Sequence, residues 1–287
     1  MPELPEIEIV KRSLVKSVKN AKIIGIKIKN RRLRYQIPNT FSKDLLNEKI
    51  IDISRRSKYL IFKLEKKILL VHLGMSGKFL LKTKRDKELF KTSFYYDLNI
   101  PEKHNHIYFI LNNNLILIYN DVRRFGFLKI FKTKNLSKVI FLTKLGVEPL
   151  SKKFSKKYFS TFAKKRKKNI KNLLMDQTFI SGLGNIYVNE ALFMSKIHPS
   201  KKSNKLNKSE IENLVINIKK ILKFSISKGG ASIKNFKDTM DKSGKFQQFF
   251  YVYNKENKNC SRISCKGKIK RIIISSRSSF YCNKCQK

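Results

Sequence analysis

The spacing of apolar residues changes along this chain. Between residues 5 and 18, Ile7, Val10 and Leu14 recur at helical intervals, with basic residues mostly elsewhere. An amphipathic helix is predicted there. From about 21 to 133 the apolar runs become short and β-rich: 58–64, 68–73, 107–111 and 115–119. Asn112-Asn113-Asn114 reads as the turn of a hairpin between the last two. Such runs predict a β-sandwich or flattened barrel. The strand pattern ends around Leu145-Gly-Val-Glu-Pro-Leu150, and a linker leads into helical sequence. The clearest helix covers 207–228. Asn207 and Glu210 resemble a capping pair, Ile211, Leu214, Val215, Ile218, Ile221 and Leu222 form one stripe, and Gly229-Gly230 ends it. We read that stripe as core. Residues 231–250 are polar and are expected to include a mobile loop near 242–245. A hairpin-like stretch follows at 269–281.

Composition narrows the partner. A chain of 287 residues suggests two domains, or one with an appendage, and 41% hydrophobic residues suffice for a core. The net charge of +45 favours a polyanion, nucleic acid first and an acidic membrane second. The excess is spread along the chain among many Ile and Asn residues, so part of it reads as a codon bias towards Lys. It supports nucleic-acid binding without locating it. There is no apolar signal core at the N-terminus and no run of about 18 apolar residues. A cytoplasmic, nucleoid-associated protein without a membrane span is expected. No internal repeat is visible.

All four cysteines fall between Cys260 and Cys285, as Cys260-x4-Cys265 and Cys282-x2-Cys285 on either side of the hairpin-like stretch. Two close pairs across a hairpin predict one structural Zn²⁺ held by four thiolates. So small a segment would draw on the metal for its stability.

Other segments carry chemistry. Loss of Met1 would leave Pro2 with a free secondary amine, and an α-amino group has a pKa of roughly 8. Such an amine can attack a carbonyl-type carbon and form a cationic iminium. Glu3 lies beside it, and Glu6 shares its side of a helix that Pro5 can start. An ordinary acidic helix start reads the same way. Arg55-Arg56-Ser57-Lys58 places three cations before a strand, which suits a solvated edge as well as a phosphate contact. In His72-Leu-Gly-Met75-Ser-Gly77 a methionine sits in a tight turn, either as core or as a wedge that unstacks bases. Asn120-Asp-Val-Arg123-Arg-Phe125-Gly126 suits phosphate contact plus insertion beside a base. Lys103-His104-Asn105-His106 fits phosphate contact or packing better than metal. Lys164 to Lys168 reads as a solvated basic run. Near Gly182-Leu-Gly184-Asn185, backbone amides could approach a phosphate at a helix start, but no P-loop signature is present.

Taken together and in this order, MPELPE, RRSKYL at 55–60, HLGMSG at 72–77, KHNHI at 103–107, NDVRRFG at 120–126, LGVEPL at 145–150, GLGNIYVNEALF at 182–193 and the four-cysteine tail resemble the formamidopyrimidine-DNA glycosylases of the Fpg/Nei family. The likeness covers essentially the whole chain. It implies an α+β multidomain fold: an N-terminal β-sandwich with flanking helices over 1–135, a linker at 136–150, a helix-two-turn-helix domain over 151–240 and a zinc-finger hairpin over 250–287. It implies a bifunctional glycosylase and AP lyase on oxidised purines in double-stranded DNA. In the family's terms Pro2 attacks C1′, Glu3 acts as acid on the sugar, Lys58 assists β-elimination and Arg277 serves δ-elimination. His104, Arg123 and Arg166 match DNA-contacting positions, and Asn185 matches a phosphate-gripping one. Met75, Arg123 and Phe125 match residues that fill the void left by the extruded base. A monomer suffices for one lesion.

Three departures stand out. Val122 replaces the usual Pro, which would loosen its loop. Asn105 replaces Asp. The first cysteine pair is spaced by four rather than two. The basic run 164–168 also admits more than one alignment around Arg166. Two other readings remain open: an endonuclease VIII-like enzyme for oxidised pyrimidines, against which Leu4 and Met75 weigh, and a zinc-finger protein that binds damaged DNA without chemistry. A ribosome-associated basic protein would explain the charge but not the first six residues.

Overall fold

The computed structural model describes residues 2–83, 101–231 and 246–287, and the backbone alone of 89–91. Met1 and the loop expected at 242–245 lie outside the described residues. The chain divides into two compact units, Met1–Thr143 with Lys228–Lys245, and Lys144–Ser227 with Phe246–Lys287.

The first unit opens with helix α1 (Leu4–Val18). Its buried face carries Leu4, Ile7, Val10, Leu14 and Val18, the predicted stripe extended at both ends. Each such side chain contributes roughly 1.5–3 kcal/mol on burial. Strands β1 (Ile23–Ile28), β5 (Lys78–Thr83), β6 (Leu89–Lys91), β7 (Asn105–Leu111) and β8 (Leu115–Asn120) form one antiparallel sheet in the order β1-β7-β8-β5-β6. A short helix α2 (Phe41–Leu45) follows β1 in the chain. Strands β2 (Ile50–Arg56), β3 (Tyr59–Leu64), β4 (Lys67–His72) and β9 (Phe127–Lys132) form the other sheet, in that order. Ile23, Phe79, Phe109 and Leu117 of the first sheet share one core with Ile53, Phe62, Leu69 and Val71 of the second. The expected sandwich is present. The second sheet is buried on its outer face as well: Ile61, Ile68, Leu70 and Phe127 pack with Phe141 and Leu142 of α3 (Ile140–Thr143). That explains why 58–64 and 68–73 read as continuous apolar runs rather than alternating ones. The Asn112–Asn114 turn joins β7 to β8, with Asn114 at φ 62°.

The second unit holds α4 (Lys156–Lys164), α5 (Ile170–Met175), α6 (Asn185–Met194) and α7 (Lys208–Ser227), then the hairpin β10 (Ile269–Ile274) and β11 (Arg277–Cys282). Helix α7 starts on the anticipated box: Asn207 Oδ1 accepts from Glu210 N at 2.9 Å, and Glu210 Oε2 accepts from Asn207 N at 3.0 Å. Its stripe is buried, as read. Helix α6 is buried on every side from Ile186 to Phe193, the property of a central helix. Its Glu190 accepts backbone N–H bonds from Tyr251, Val252 and Tyr253 at 2.7, 3.0 and 2.8 Å. Burial pushes this carboxyl up, and the three N–H donors oppose that.

Candidate active site and metal centre

Pro2 and Glu3 are buried at the start of α1. Glu3 is the N-cap and forms a reciprocal capping box with Glu6, whose Oε2 accepts from Glu3 N at 2.8 Å. The other oxygen, Oε1, accepts from Ala231 N at 2.9 Å. Glu6 is therefore the residue that holds the first residues in place, using the segment just after Gly229-Gly230. Glu6→Leu removes the acceptor of two buried donors and should cost roughly 2–4 kcal/mol in urea unfolding; an unchanged midpoint would remove this role.

Lys58 sits buried in the two-residue turn Ser57-Lys58 between β2 and β3. Ser57 has φ 56°, a left-handed conformation that costs a non-glycine residue energy. The turn is held from outside: the Arg55 guanidinium donates to Ser57 O at 2.8 Å and to Glu8 Oε2 at 3.0 Å. Glu8 also pairs with Lys11 at 2.9 Å. Desolvation is the largest influence on the Glu8 carboxyl, but the cations together hold it below the usual carboxylate range. Arg55 is thus not a solvated edge residue. It ties the Lys58 turn to α1.

Three motifs distant in sequence lie together in the same unit. Met75, Val122 and Phe125 are exposed by 38%, 48% and 45%, and the Arg123 guanidinium lies 4.6 Å over the Phe125 ring. An exposed apolar cluster beside two arginines suits insertion into a base stack. Arg123 N donates to Ser76 Oγ at 2.9 Å, joining the two turns. The loop expected to loosen at Val122 is bonded at Asp121, Arg123, Arg124 and Gly126. His104 ends a short 3-10 turn, and its O accepts from Asp121 N at 3.0 Å. Desolvation first, then neighbouring cations, lower its imidazole pKa.

In the second unit Asn185 opens α6, as read, and its Nδ2 donates to Ser278 O at 3.0 Å. Arg277 is exposed, one residue past the Ser275-Ser276 turn, whose φ values are 49° and 59°. Arg166 stacks on Phe162 at 4.5 Å just beyond α4. Sequence reasoning missed Lys171, a lysine at a buried position of α5. Its Nζ donates to Ser278 O at 2.9 Å and Ser279 Oγ at 2.6 Å, so it props the same strand end as Asn185. Burial, then Arg277, push its pKa down to about 8. A lysine with a lower pKa folded than unfolded leaves more protons on the unfolded chain between the two values. Stability should therefore rise from pH 8 to 10 by a component that Lys171→Met abolishes in urea titrations; an identical pH slope in the variant would contradict this.

The four cysteine Sγ atoms lie within 4.8 Å of one another. Cys260–Cys285 and Cys265–Cys282 are 3.9 and 3.6 Å apart. A Zn–S bond of about 2.3 Å gives a tetrahedral edge of about 3.8 Å, so this donor set fits one structural Zn²⁺. No other cluster suited to a metal occurs among the described residues. The longer first knuckle closes on the site and carries Arg262, which donates to Phe193 O at 2.6 Å and Met194 O at 3.1 Å and covers the Phe193 ring. Arg262 thereby caps the C-terminal carbonyls of α6. The finger core is shared with that helix, because Phe193 packs with Val252, Ile269 and Phe280.

The class follows from these features: a zinc-finger protein whose sandwich unit carries a buried Pro2-Glu3 pair at the start of a capped helix and an exposed apolar and arginine cluster, and whose helical unit carries the finger. Family models match residues 1–128, as the formamidopyrimidine-DNA glycosylase N-terminal domain, and 145–237, as its H2TH domain. The chain belongs to the formamidopyrimidine-DNA glycosylase family. It is 38% identical to a formamidopyrimidine-DNA glycosylase of Roseobacter denitrificans over 100% of both chains, and 40% identical to one of Rickettsia conorii over 100% of this chain and 99% of that one. A Lactococcus lactis Fpg mutant in complex with DNA containing Fapy-dG superposes with a TM-score of 0.87 at 36% identity, covering 100% of both chains. The Lactococcus lactis enzyme bound to DNA with an abasic site gives 0.86 at 36% identity, covering 99% of both. No helix among the described residues is long and apolar enough to cross a membrane.

Proposed function

We propose that this protein is a bifunctional DNA glycosylase and AP lyase that removes oxidised purines, 8-oxoguanine and formamidopyrimidines, from duplex DNA of the nucleoid. The observation that carries this reading is the buried Pro2-Glu3 pair, clamped by Glu6, in a chain similar over its full length to formamidopyrimidine-DNA glycosylases.

The chemistry follows from the Pro2 nitrogen, once Met1 is removed. A stacked nucleotide shields its C1′, so the damaged nucleotide must first leave the helix. Extrusion costs a few kcal/mol, and Met75, Arg123 and Phe125 offset part of it by filling the void. The Pro2 lone pair forms a bond to C1′ while the glycosidic bond breaks; the base leaves with the electrons of the glycosidic bond and takes up the proton that the Pro2 nitrogen gives up. Glu3 supplies the proton that opens the sugar ring, giving a cationic iminium. The iminium draws electrons from C2′ and acidifies its proton. Lys58 assists that β-elimination, which expels the 3′ phosphate. Arg277 serves the second, δ-elimination step. His104 and Arg166 contact the DNA, and Asn185 takes a phosphate. The four cysteines hold the zinc, whose work is to keep the hairpin bearing Arg277 folded.

Reductive trapping with borohydride on an 8-oxoguanine:cytosine duplex tests the reading, after mass measurement has established that Met1 is gone. A covalent protein–DNA adduct is expected. Tight binding without an adduct would leave a non-catalytic binder of damaged DNA, and faster reaction on thymine glycol duplexes would move the substrate to oxidised pyrimidines.

A further inference from the structure

Asp121 belongs to neither the chemical steps nor the DNA contacts above, yet three of the candidate segments meet on it. Its side chain is fully buried. Oδ1 accepts from Ser76 Oγ at 2.5 Å, in the methionine turn. Oδ2 accepts from Gly126 N at 2.8 Å, at the end of the arginine loop, and from Tyr119 OH at 3.2 Å. Its backbone N donates to His104 O at 3.0 Å, and its backbone O accepts from His106 Nε2 at 2.8 Å. Ser76 Oγ passes the link on by accepting from Arg123 N.

The surrounding glycines are explained by the same arrangement. A Cβ on Gly126 would lie 1.9 Å from the Tyr119 hydroxyl, and a Cβ on Gly74, at φ 60°, 2.5 Å from Gly126 N. The two turns are pressed against each other with the carboxylate beneath them. Hydrogen bonds to a buried charged acceptor are short and strong. They fix loops that would otherwise have to be ordered when DNA binds, at a cost in conformational entropy.

We propose that Asp121 is a positioning residue that joins the Met75 turn and the Arg123–Phe125 loop into one rigid wedge, registered against His104. This rests on the reading that Met75, Arg123 and Phe125 fill the void. Asp121 touches no reacting atom. It acts through Ser76 and Gly126, so that both apolar tips enter the helix together or not at all.

The test compares single-turnover excision from an 8-oxoguanine:cytosine duplex with cleavage of a single-stranded abasic oligonucleotide, which needs no wedge. Ser76→Ala cuts the link between the turns while leaving Asp121 bonded to Gly126. It should lower the duplex to single-strand rate ratio about tenfold, the value of one strong hydrogen bond. Ser76→Thr keeps the hydroxyl and should restore the ratio. Asp121→Asn should lower it at least as far; if that variant does not fold, the Ser76 pair still decides. A double-mutant cycle of Met75→Ala and Phe125→Ala should be non-additive in the wild type and multiplicative in the Ser76→Ala background. If Met75→Ala and Phe125→Ala each lower the ratio while Ser76→Ala and a folded Asp121→Asn do not, the positioning role is wrong and the wedge stands. If Met75→Ala and Phe125→Ala leave the ratio unchanged, the wedge reading falls, and this proposal with it.

Discussion

Pro2→Gly is expected to keep DNA binding and to lose most strand cleavage. The amine survives in this variant, but its character and its placement do not. Proline gives a secondary amine and hence an iminium that is cationic without needing a proton, a good electron sink. Its ring also locks rotation about N–Cα and so fixes the direction of the nitrogen lone pair, on a backbone that Glu3, Glu6 and Ala231 hold. Glycine loosens that geometry, and small displacements of a reacting atom cost about a hundredfold. Gel-shift titration and single-turnover cleavage on the same 8-oxoguanine duplex separate the two effects. Unchanged cleavage by Pro2→Gly would end the assignment of the nucleophile.

Cys282→Ser should release the zinc and unfold the finger. Structural zinc contributes roughly 10 kcal/mol or more to a small site, against a typical domain stability of about 5–15 kcal/mol. The finger has little core of its own: Val252, Ile269 and Phe280 complete theirs with Phe193 of α6. Losing the metal frees Arg262 from the carbonyls it caps, and releases the strand end that Asn185 and Lys171 hold through Ser278. Metal analysis should fall to background. DNA affinity should weaken, with a shallower salt dependence because cationic contacts from the hairpin are lost. A metal-free protein with an intact hairpin and undiminished affinity would contradict the site.

Both experiments probe features that were legible in different ways. The proline at position 2, the paired cysteines and the α7 stripe are local patterns: a residue type at a fixed spacing implies the chemistry or the face before any packing is known. The strands were legible as apolar runs, and the Asn-rich turn as their punctuation. The roles of Arg55 and Glu6 were not. Each reads as an ordinary surface or cap residue, and its importance comes from partners brought near by the fold, Glu8 with Ser57 O for one and Ala231 N for the other. Lys171 looked like one more lysine among many in a chain of net charge +45. Only its burial against the finger distinguishes it.

The chain's own pattern determined the class of fold, the metal ligands and the segments proposed to bear the chemistry, because helical and strand periods, cysteine spacing and a proline at position 2 are properties of neighbours in sequence. Tertiary structure decided what holds those segments in position: Asp121 under two turns, Glu6 across to residue 231, Arg262 over the end of α6. Hydrogen bonds between residues far apart in the chain leave no periodic trace, so these supports become visible only when the chain is folded.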